Sequence, residues 1–287
     1  MNKQFLLMPI LLILVSVMAF GVNKLSQNTR SAETLPVDGP PQWELPKFLR
    51  EASGLAVFND KYLLSHNDEK GNIYRIALAD ISIEKIASIG SPTISGDFEG
   101  IAIAGKSTYL ITSTGELFQI DDLAIEQLKQ TVSAKVIDTG VSKICEIEGL
   151  AYLDGLLLFP CKTFLQQDEN DRLLVFSYSL LSGETKEYLS IPLEQLGGIK
   201  KISPTAMDVN DDDYFIVSNN RLLVIDRKTQ SIKALSLPKK LHFKTEGIAV
   251  LEDGSIILVD DKKEGRSRLT RYRDQTDLKD KTKLSDS

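Results

Sequence analysis

One pattern is written five times along this chain. It runs as an acidic or polar residue, a glycine, three apolar residues, a short turn, an apolar run with a polar end, and a second apolar run. The copies begin at Glu51-Ala52-Ser53-Gly54, Asp97-Phe98-Glu99-Gly100, Glu146-Ile147-Glu148-Gly149, Ser203-Pro204-Thr205-Ala206 and Lys244-Thr245-Glu246-Gly247. A repeat of roughly fifty residues constrains architecture before any single side chain is weighed, because each unit must bury its apolar faces against its neighbours. Each copy offers four short strands set off by Gly, Asn and Asp turns. Four antiparallel strands per unit, repeated radially, predict an all-β propeller. Five blades follow from the five copies; the late start of the fourth leaves room for a degenerate sixth. The fifth copy lacks a fourth strand, and residues 42–45 supply it, so an N-terminal strand closes the last blade and removes an exposed edge.

The flanks read differently from the 42–273 body. Lys3 precedes an apolar run, 5–22, broken by Ser16 and carrying an early Pro9. Val17-Met18-Ala19 has the small-residue form of a cleavage site, and the run is also about long enough to span a bilayer. Signal peptide and retained membrane anchor are both open, and either exports the body to the periplasm or exterior. Residues 23–41 are polar with a Gly-Pro-Pro end and read as a flexible linker. Residues 274–287 are Asp, Lys and Ser with little that is apolar, and read as a disordered tail. The segment 121–129 is polar with helical spacing and reads as a surface excursion in the second blade.

Outside the cytoplasm disulfides persist. Cys145 and Cys161 are the two cysteines; the turn at Asp154-Gly155 brings their strands together, which allows a bond without requiring one. No zinc spacing is present. A formal net charge of -6 with no basic stripe excludes nucleic acid as a partner. A single propeller predicts a monomer.

The repeat stacks equivalent side chains. In a propeller the first strand of each blade lines the axis, and its start meets the end of the second strand on one face. Immediately before the glycine position stand Ser53, Glu99, Glu148, Thr205 and Glu246; the second strands end in His66-Asn67-Asp68, Thr112-Ser113-Thr114, Pro160-Cys161-Lys162, Ser218-Asn219-Asn220 and Val259-Asp260-Asp261. Carboxylates gathered this closely must share protons or a cation. Oxygen donors suit a hard cation, calcium in an exported protein. The predicted metal set is therefore Glu99, Glu148, Glu246, Asp208, Asn67 and Asp260. Asp208 joins because it stands where the other copies carry Ala56, Ala102, Ala151 and Ala249. A competing reading gives the acid-Gly pair a backbone role only, the glycine for geometry and the acid for local amides. Catalytic candidates are few: His66, Glu99 or Glu148 as proton carriers. His242, the other histidine, receives no role.

The motifs Glu51-Ala-Ser-Gly-Leu, Asp97-Phe-Glu-Gly-Ile-Ala, Glu148-Gly-Leu-Ala and Glu246-Gly-Ile-Ala, with Ser65-His-Asn-Asp-Glu after the first hairpin, resemble the SdiA-regulated family of exported β-propellers. Phytase-like esterase, strictosidine-synthase-like and lactonase-like propellers share such openings. The resemblance implies a propeller outside the cytoplasm with a calcium site, and little about reaction. Two functions follow as expectations: a module binding a small molecule or envelope partner at its channel mouth, or a metal-dependent hydrolase of phosphoester, ester or lactone substrates.

Overall fold

Short strands rich in Val, Ile, Leu, Tyr and Phe, punctuated by tight turns, pair into five antiparallel sheets. They are described by a computed structural model covering residues 29–31, 33–35, 39–166, 171–196, 198–261 and 265–280. Blade one contains Ala52–Val57, Tyr62–Asn67, Asn72–Ala77 and Ser82–Ile89; blade two contains Phe98–Ala104, Ser107–Thr112, Glu116–Asp121 and Lys135–Asp138. In blade three the inner strand is split into Cys145–Ile147 and Ala151–Leu153, both paired to Leu156–Phe164 and followed by Arg172–Ser179 and Thr185–Pro192. Blade four runs Pro204–Val209, Asp213–Ser218, Arg221–Asp226 and Ile232–Ser236. Blade five runs Thr245–Val250, Ile256–Asp260 and Arg268–Tyr272, and Gln42–Glu44 adds antiparallel to its outer edge.

Each inner strand packs on the inner strands of two neighbours, and blade five returns to blade one. The core is correspondingly divided among the blade interfaces. Leu64, Ile73 and Ile101 sit between blades one and two, Ile111, Leu157 and Phe159 between two and three, and Leu158, Leu173 and Ile216 between three and four. Val217, Leu222 and Leu258 lie between four and five, and Leu45, Leu63 and Val259 between five and one. Every interface is accounted for, so the ring has five blades, with no degenerate sixth among the described residues.

Closure is a buried, hydrogen-bonded joint. Gln42, Leu45 and Leu49 are fully buried. The Gln42 side-chain amide donates to Thr270 Oγ1 at 2.8 Å, and the Leu45 N–H donates to the Ser267 carbonyl at 2.8 Å. Closing the ring this way couples the chain's start to its end, so stability at the joint is shared by the whole propeller.

Three expectations need correction. Within 23–41, Thr29–Ser31 pairs with the outer strand of blade one, and Glu33–Leu35 pairs with Gln42–Glu44. Free outer edges recruit extended chain, and the linker supplies it. Within 274–287, Gln275–Asp277 forms a 3-10 turn capped by Asp274, and Lys279–Asp280 pairs with the outer strand of blade four; buried Leu278 anchors the turn. The 121–129 excursion has no helix. It leads into Gln130–Val132, which lies parallel to the outer strand of blade one, and Arg75 donates to the Ile125 carbonyl and the Glu126 carboxylate beneath it. The run 5–22 lies outside the described residues. Among the described residues no helix is long and apolar enough to cross a membrane.

Candidate functional site at the channel mouth

The repeated acid-glycine pair marks a β-bulge. Pairing between the first and second strands slips between Ala52 and Leu55, Phe98 and Gly100, Pro204 and Ala206, and Thr245 and Gly247. Blade three slips as its inner strand splits. A bulge inserts an unpaired residue and re-aims its side chain. Glu99, Thr205 and Glu246 are the inserted residues in their blades, and Glu148 lies in the gap of the split strand. The neighbouring glycines then let adjacent inner strands approach: the Gly149 N–H donates to the Glu99 carbonyl at 2.7 Å. The glycine is a packing device, and the residue before it is turned toward the axis.

The mouth is not a ring of acids alone. Glu148 is ion-paired to Lys162, and Glu246 to Lys244, which also lies 3.6 Å from Asp261. Lys162 reaches inward because blade three carries a second slip, this one on the second strand: Glu146 faces Thr163 and Ile147 faces Cys161, so Lys162 is extra. Both lysines stand in the aligned columns of the sequence, but a period-two pattern does not reveal that a bulge will turn one inward.

Glu99 is the exception among the three glutamates. It accepts a 3.2 Å hydrogen bond from Ser53 Oγ, and among the described residues no ion pair reaches it. Burial pushes its carboxyl up to about 8, helped by Asp97 and by Glu246 across the ring, while Lys162 opposes weakly. Glu99 therefore holds a proton near neutral pH. Glu246 is also raised, first by burial, with Lys244 countering. At the rim, burial and then Glu51 push Asp68 up to about 6. Charge crowding is thus relieved by held protons and by two lysines.

His66 is fully buried behind Gly54, where an added Cβ would stand 2.6 Å from its Nε2. Its Nδ1 is 3.2 Å from the Asn67 carbonyl, and Nε2 has no partner. Burial holds the ring well below the usual range, at about 4, so it is neutral. Asn67 Oδ1 and Glu148 Oε2 are likewise buried without a partner. These are oxygen donors of the kind a hard cation takes. As they stand, however, no three His, Cys, Asp or Glu groups among the described residues converge closely enough to hold a metal, and the two lysines occupy positions a metal would need.

Two predicted members belong elsewhere. Asp208 does not join the mouth. It lies three residues beyond the Thr205 bulge, about 10 Å further along a strand at 3.3 Å per residue, and lines the opposite end of the channel. There it accepts from the Val209 N–H at 2.8 Å and from the Val250 N–H at 2.7 Å, clasping blade four to blade five. Asp260 turns away from the axis. Its oxygens meet Thr245 Oγ1 at 2.7 Å and His242 Nδ1 at 2.8 Å, and His242 Nε2 meets the Tyr272 hydroxyl at 2.7 Å. This network is closed to solvent and its groups satisfy one another, so it braces the segment leading to Lys244 and Glu246. The sequence reading left His242 without a role, since only the fold brings residues 242, 260 and 272 together.

Cys145 and Cys161 form a disulfide, with Cα atoms 5.8 Å apart. It ties the inner strand of blade three to the strand that carries Lys162.

No protein-family model and no curated protein sequence matches the chain. Solved structures that resemble it are propeller-like and distant. The PQQ-bound aldose sugar dehydrogenase of Streptomyces coelicolor is 12% identical, with 85% of this chain and 97% of that one covered and a TM-score of 0.49. The glutaminyl cyclase of Myxococcus xanthus is 15% identical, with 85% and 94% covered and a TM-score of 0.48. A protein of unknown function from Bacteroides thetaiotaomicron is 14% identical at a TM-score of 0.49; 81% of this chain is covered, which spans 58% of that protein's length. Likeness at this level carries no activity across.

Proposed function

We propose that this protein is an extracytoplasmic β-propeller that binds a cation-bearing ligand at its glutamate mouth, as a module presenting that face to a small molecule or envelope partner. The observation that carries the reading is Glu99: a half-buried carboxyl raised to about 8, beside Asp97 and Glu246, with no ion pair of its own among the described residues. Such a group gains most from an incoming positive charge. Calcium is the metal its donors suit, with Glu148, Glu246 and Asn67 as further oxygens. Binding requires Lys162 and Lys244 to swing off their glutamates, so the two ammonium groups act as built-in competitors. Asp208 and Asp260 take no part.

Export is supported by the apolar run 5–22 and by the Cys145–Cys161 disulfide, a bond that persists in oxidising compartments. Within the propellers, the motif order resembles the SdiA-regulated group. The mature N-terminal mass and membrane fractionation test whether the run anchors the body.

Calorimetry with calcium at pH 8 is the direct test of the mouth. Binding should release about half a proton from Glu99 at pH 8 and nearly one at neutral pH, so affinity should rise as pH climbs toward 8. Melting temperature should rise with calcium as RT ln(1 + [L]/Kd) requires. Lys162→Met should strengthen the response, and Glu99→Gln should blunt it. Absence of any calcium or magnesium effect in both the parent and Lys162→Met would remove the metal from the proposal.

A hydrolase is the second reading, favoured by one observation: Glu99 holds its proton in the range where a general acid is useful. Calcium-dependent turnover of ester, phosphoester or lactone substrates that is lost in Glu99→Gln would favour it over the module.

A further inference from the structure

The channel has a second end, and its chemistry differs from that of the mouth. At the waist, the space left between Gly54, Gly100, Gly149, Ala206 and Gly247 is only about 10 Å³. This narrow waist divides the channel into two ends. Beyond the waist the channel widens into a cavity of about 170 Å³, bounded by the exits of the five inner strands. A space of this size has room for a molecule of a few heavy atoms. Val57, Ile103, Val209 and Val250 along it keep partial exposure, so the cavity communicates with solvent.

One ionisable carboxyl faces this space, Asp208, and it occupies a column that is alanine in the other four blades. It lies deep within the protein mass, yet the cavity keeps part of it in contact with water. Both oxygens are fixed by amides, Oδ1 by Val209 and Oδ2 by Val250. Each carboxylate oxygen can accept more than one bond, so fixed acceptor capacity remains toward the cavity. Among the described residues no ion pair reaches Asp208. Burial pushes its carboxyl up to about 7, against the two amides. Each inner strand is paired along one edge only, so the free edges that ring the axis present further backbone carbonyls.

We propose that this cavity is a second binding site, specific for a primary ammonium group on a short aliphatic body, with the ammonium donating to Asp208. Charge, donor count and size each narrow the class. The carboxyl selects a cation. Its oriented oxygens and the strand-edge carbonyls favour a head with several N–H donors over a quaternary ammonium. The volume admits a body of a few carbons. The site is independent of the glutamate mouth, from which the waist separates it.

The test uses n-butylammonium chloride as probe, followed by amide NMR on the full folded body. The Val209 and Val250 amides, both bonded to Asp208, should shift saturably at millimolar probe. n-Butanol, tetramethylammonium and potassium at equal concentration should leave them in place. Asp208→Asn should weaken binding at least ten-fold, while Glu99→Gln should leave it unchanged. The controls on the parent protein keep the test decisive even where Asp208→Asn fails to fold. Shifts that do not saturate, or that tetramethylammonium or potassium reproduces, would overturn the assignment. So would shifts confined to Gly100 and Gly149 at the mouth side, since these report the other compartment.

Discussion

The glycine ring makes a quantitative claim that three alanine substitutions can check. Gly149 sits at φ +93°, and a Cβ there would stand 2.8 Å from the Met207 nitrogen and 3.1 Å from the Ala206 Cα and carbonyl carbon. These are backbone atoms of the next blade and cannot rotate aside. The left-handed backbone costs alanine about 1–2 kcal/mol, and forcing an extra carbon into a packed contact costs about 1–3 kcal/mol. Gly149→Ala should therefore lose about 2–5 kcal/mol. Gly155→Ala separates the first component, because its φ is +82° and nothing lies within 4 Å of the added carbon; it should lose about 1–2 kcal/mol. Gly100→Ala separates the second, because its Cβ would stand 2.6 Å from the Leu150 nitrogen and 2.7 Å from the Gly149 carbonyl carbon without a left-handed backbone; about 2–3 kcal/mol is expected. Alanine also lowers unfolded-state entropy, worth about 0.4–1 kcal/mol in favour of folding. That component is common to all three and cancels in their differences. Urea unfolding gives the comparison, provided the m-values agree. If Gly149→Ala and Gly100→Ala lose no more than Gly155→Ala, the inner strands do not meet as tightly as described, and the glycine column is not a packing device.

The closing strand, the disulfide and the protonated carboxyls each carry an expected outcome. Deleting 42–46 removes the closing strand with buried Leu45 and the Gln42–Thr270 bond. It should lower stability by about 3–5 kcal/mol from lost burial and hydrogen bonds; a melting temperature equal to the parent's would argue against closure. Reducing the Cys145–Cys161 bond, with a sequence separation of 16, should cost about 3 kcal/mol, and the Cys145→Ser, Cys161→Ser double variant should match it and be blind to reductant. Stability should fall as pH rises from about 5 to 8, because Glu99 and Asp208 hold protons in the folded state that the unfolded chain has released. Glu99 contributes roughly 2–4 kcal/mol of this after allowance for water at the mouth. His66 acts in the opposite sense below its unfolded value, since the folded ring at about 4 refuses the proton that the unfolded ring takes. Denaturant midpoints across pH measure the slope, and Glu99→Gln should flatten its upper half.

The repeat made the propeller and its closing strand readable from the sequence, because five similar units have few ways to bury their faces. It also marked the column before the glycine as distinctive. The placement of individual side chains was less readable, for physical reasons. Strand alternation assumes an unbroken ladder, whereas every inner strand here carries a bulge, and blade three has a second one that turns Lys162 inward. Depth along a strand is another reason. Asp208 belongs to the same copy as Thr205, which by sequence alone points to the mouth, yet three residues carry it past the waist. Asp260 illustrates a third difficulty: its partners His242 and Thr245 come from a loop and another strand, Tyr272 joins through His242 from a further strand, and no local pattern joins them.

The charge balance at the mouth decides what an incoming cation must displace. Glu51, Asp68, Asp97, Glu99, Glu148, Glu246 and Asp261 crowd one end of the ring, and Lys162 and Lys244 stand among them. Each lysine is taken by one glutamate, and Arg50 pairs with Glu51 at the rim. The remaining excess appears as held protons, on Asp68 up to about 6 and on Glu99 up to about 8. A cation at this mouth therefore competes with protons at Glu99 and with ammonium groups at Glu148 and Glu246, and these two competitions separate experimentally. Raising pH removes the first and leaves the second; Lys162→Met removes part of the second and, by taking a cation from near Glu99, slightly strengthens the first. A ligand that responds to pH but not to the lysine substitution sits at Glu99 alone. One that responds to both bridges Glu99 to Glu148 and uses the mouth as a single site.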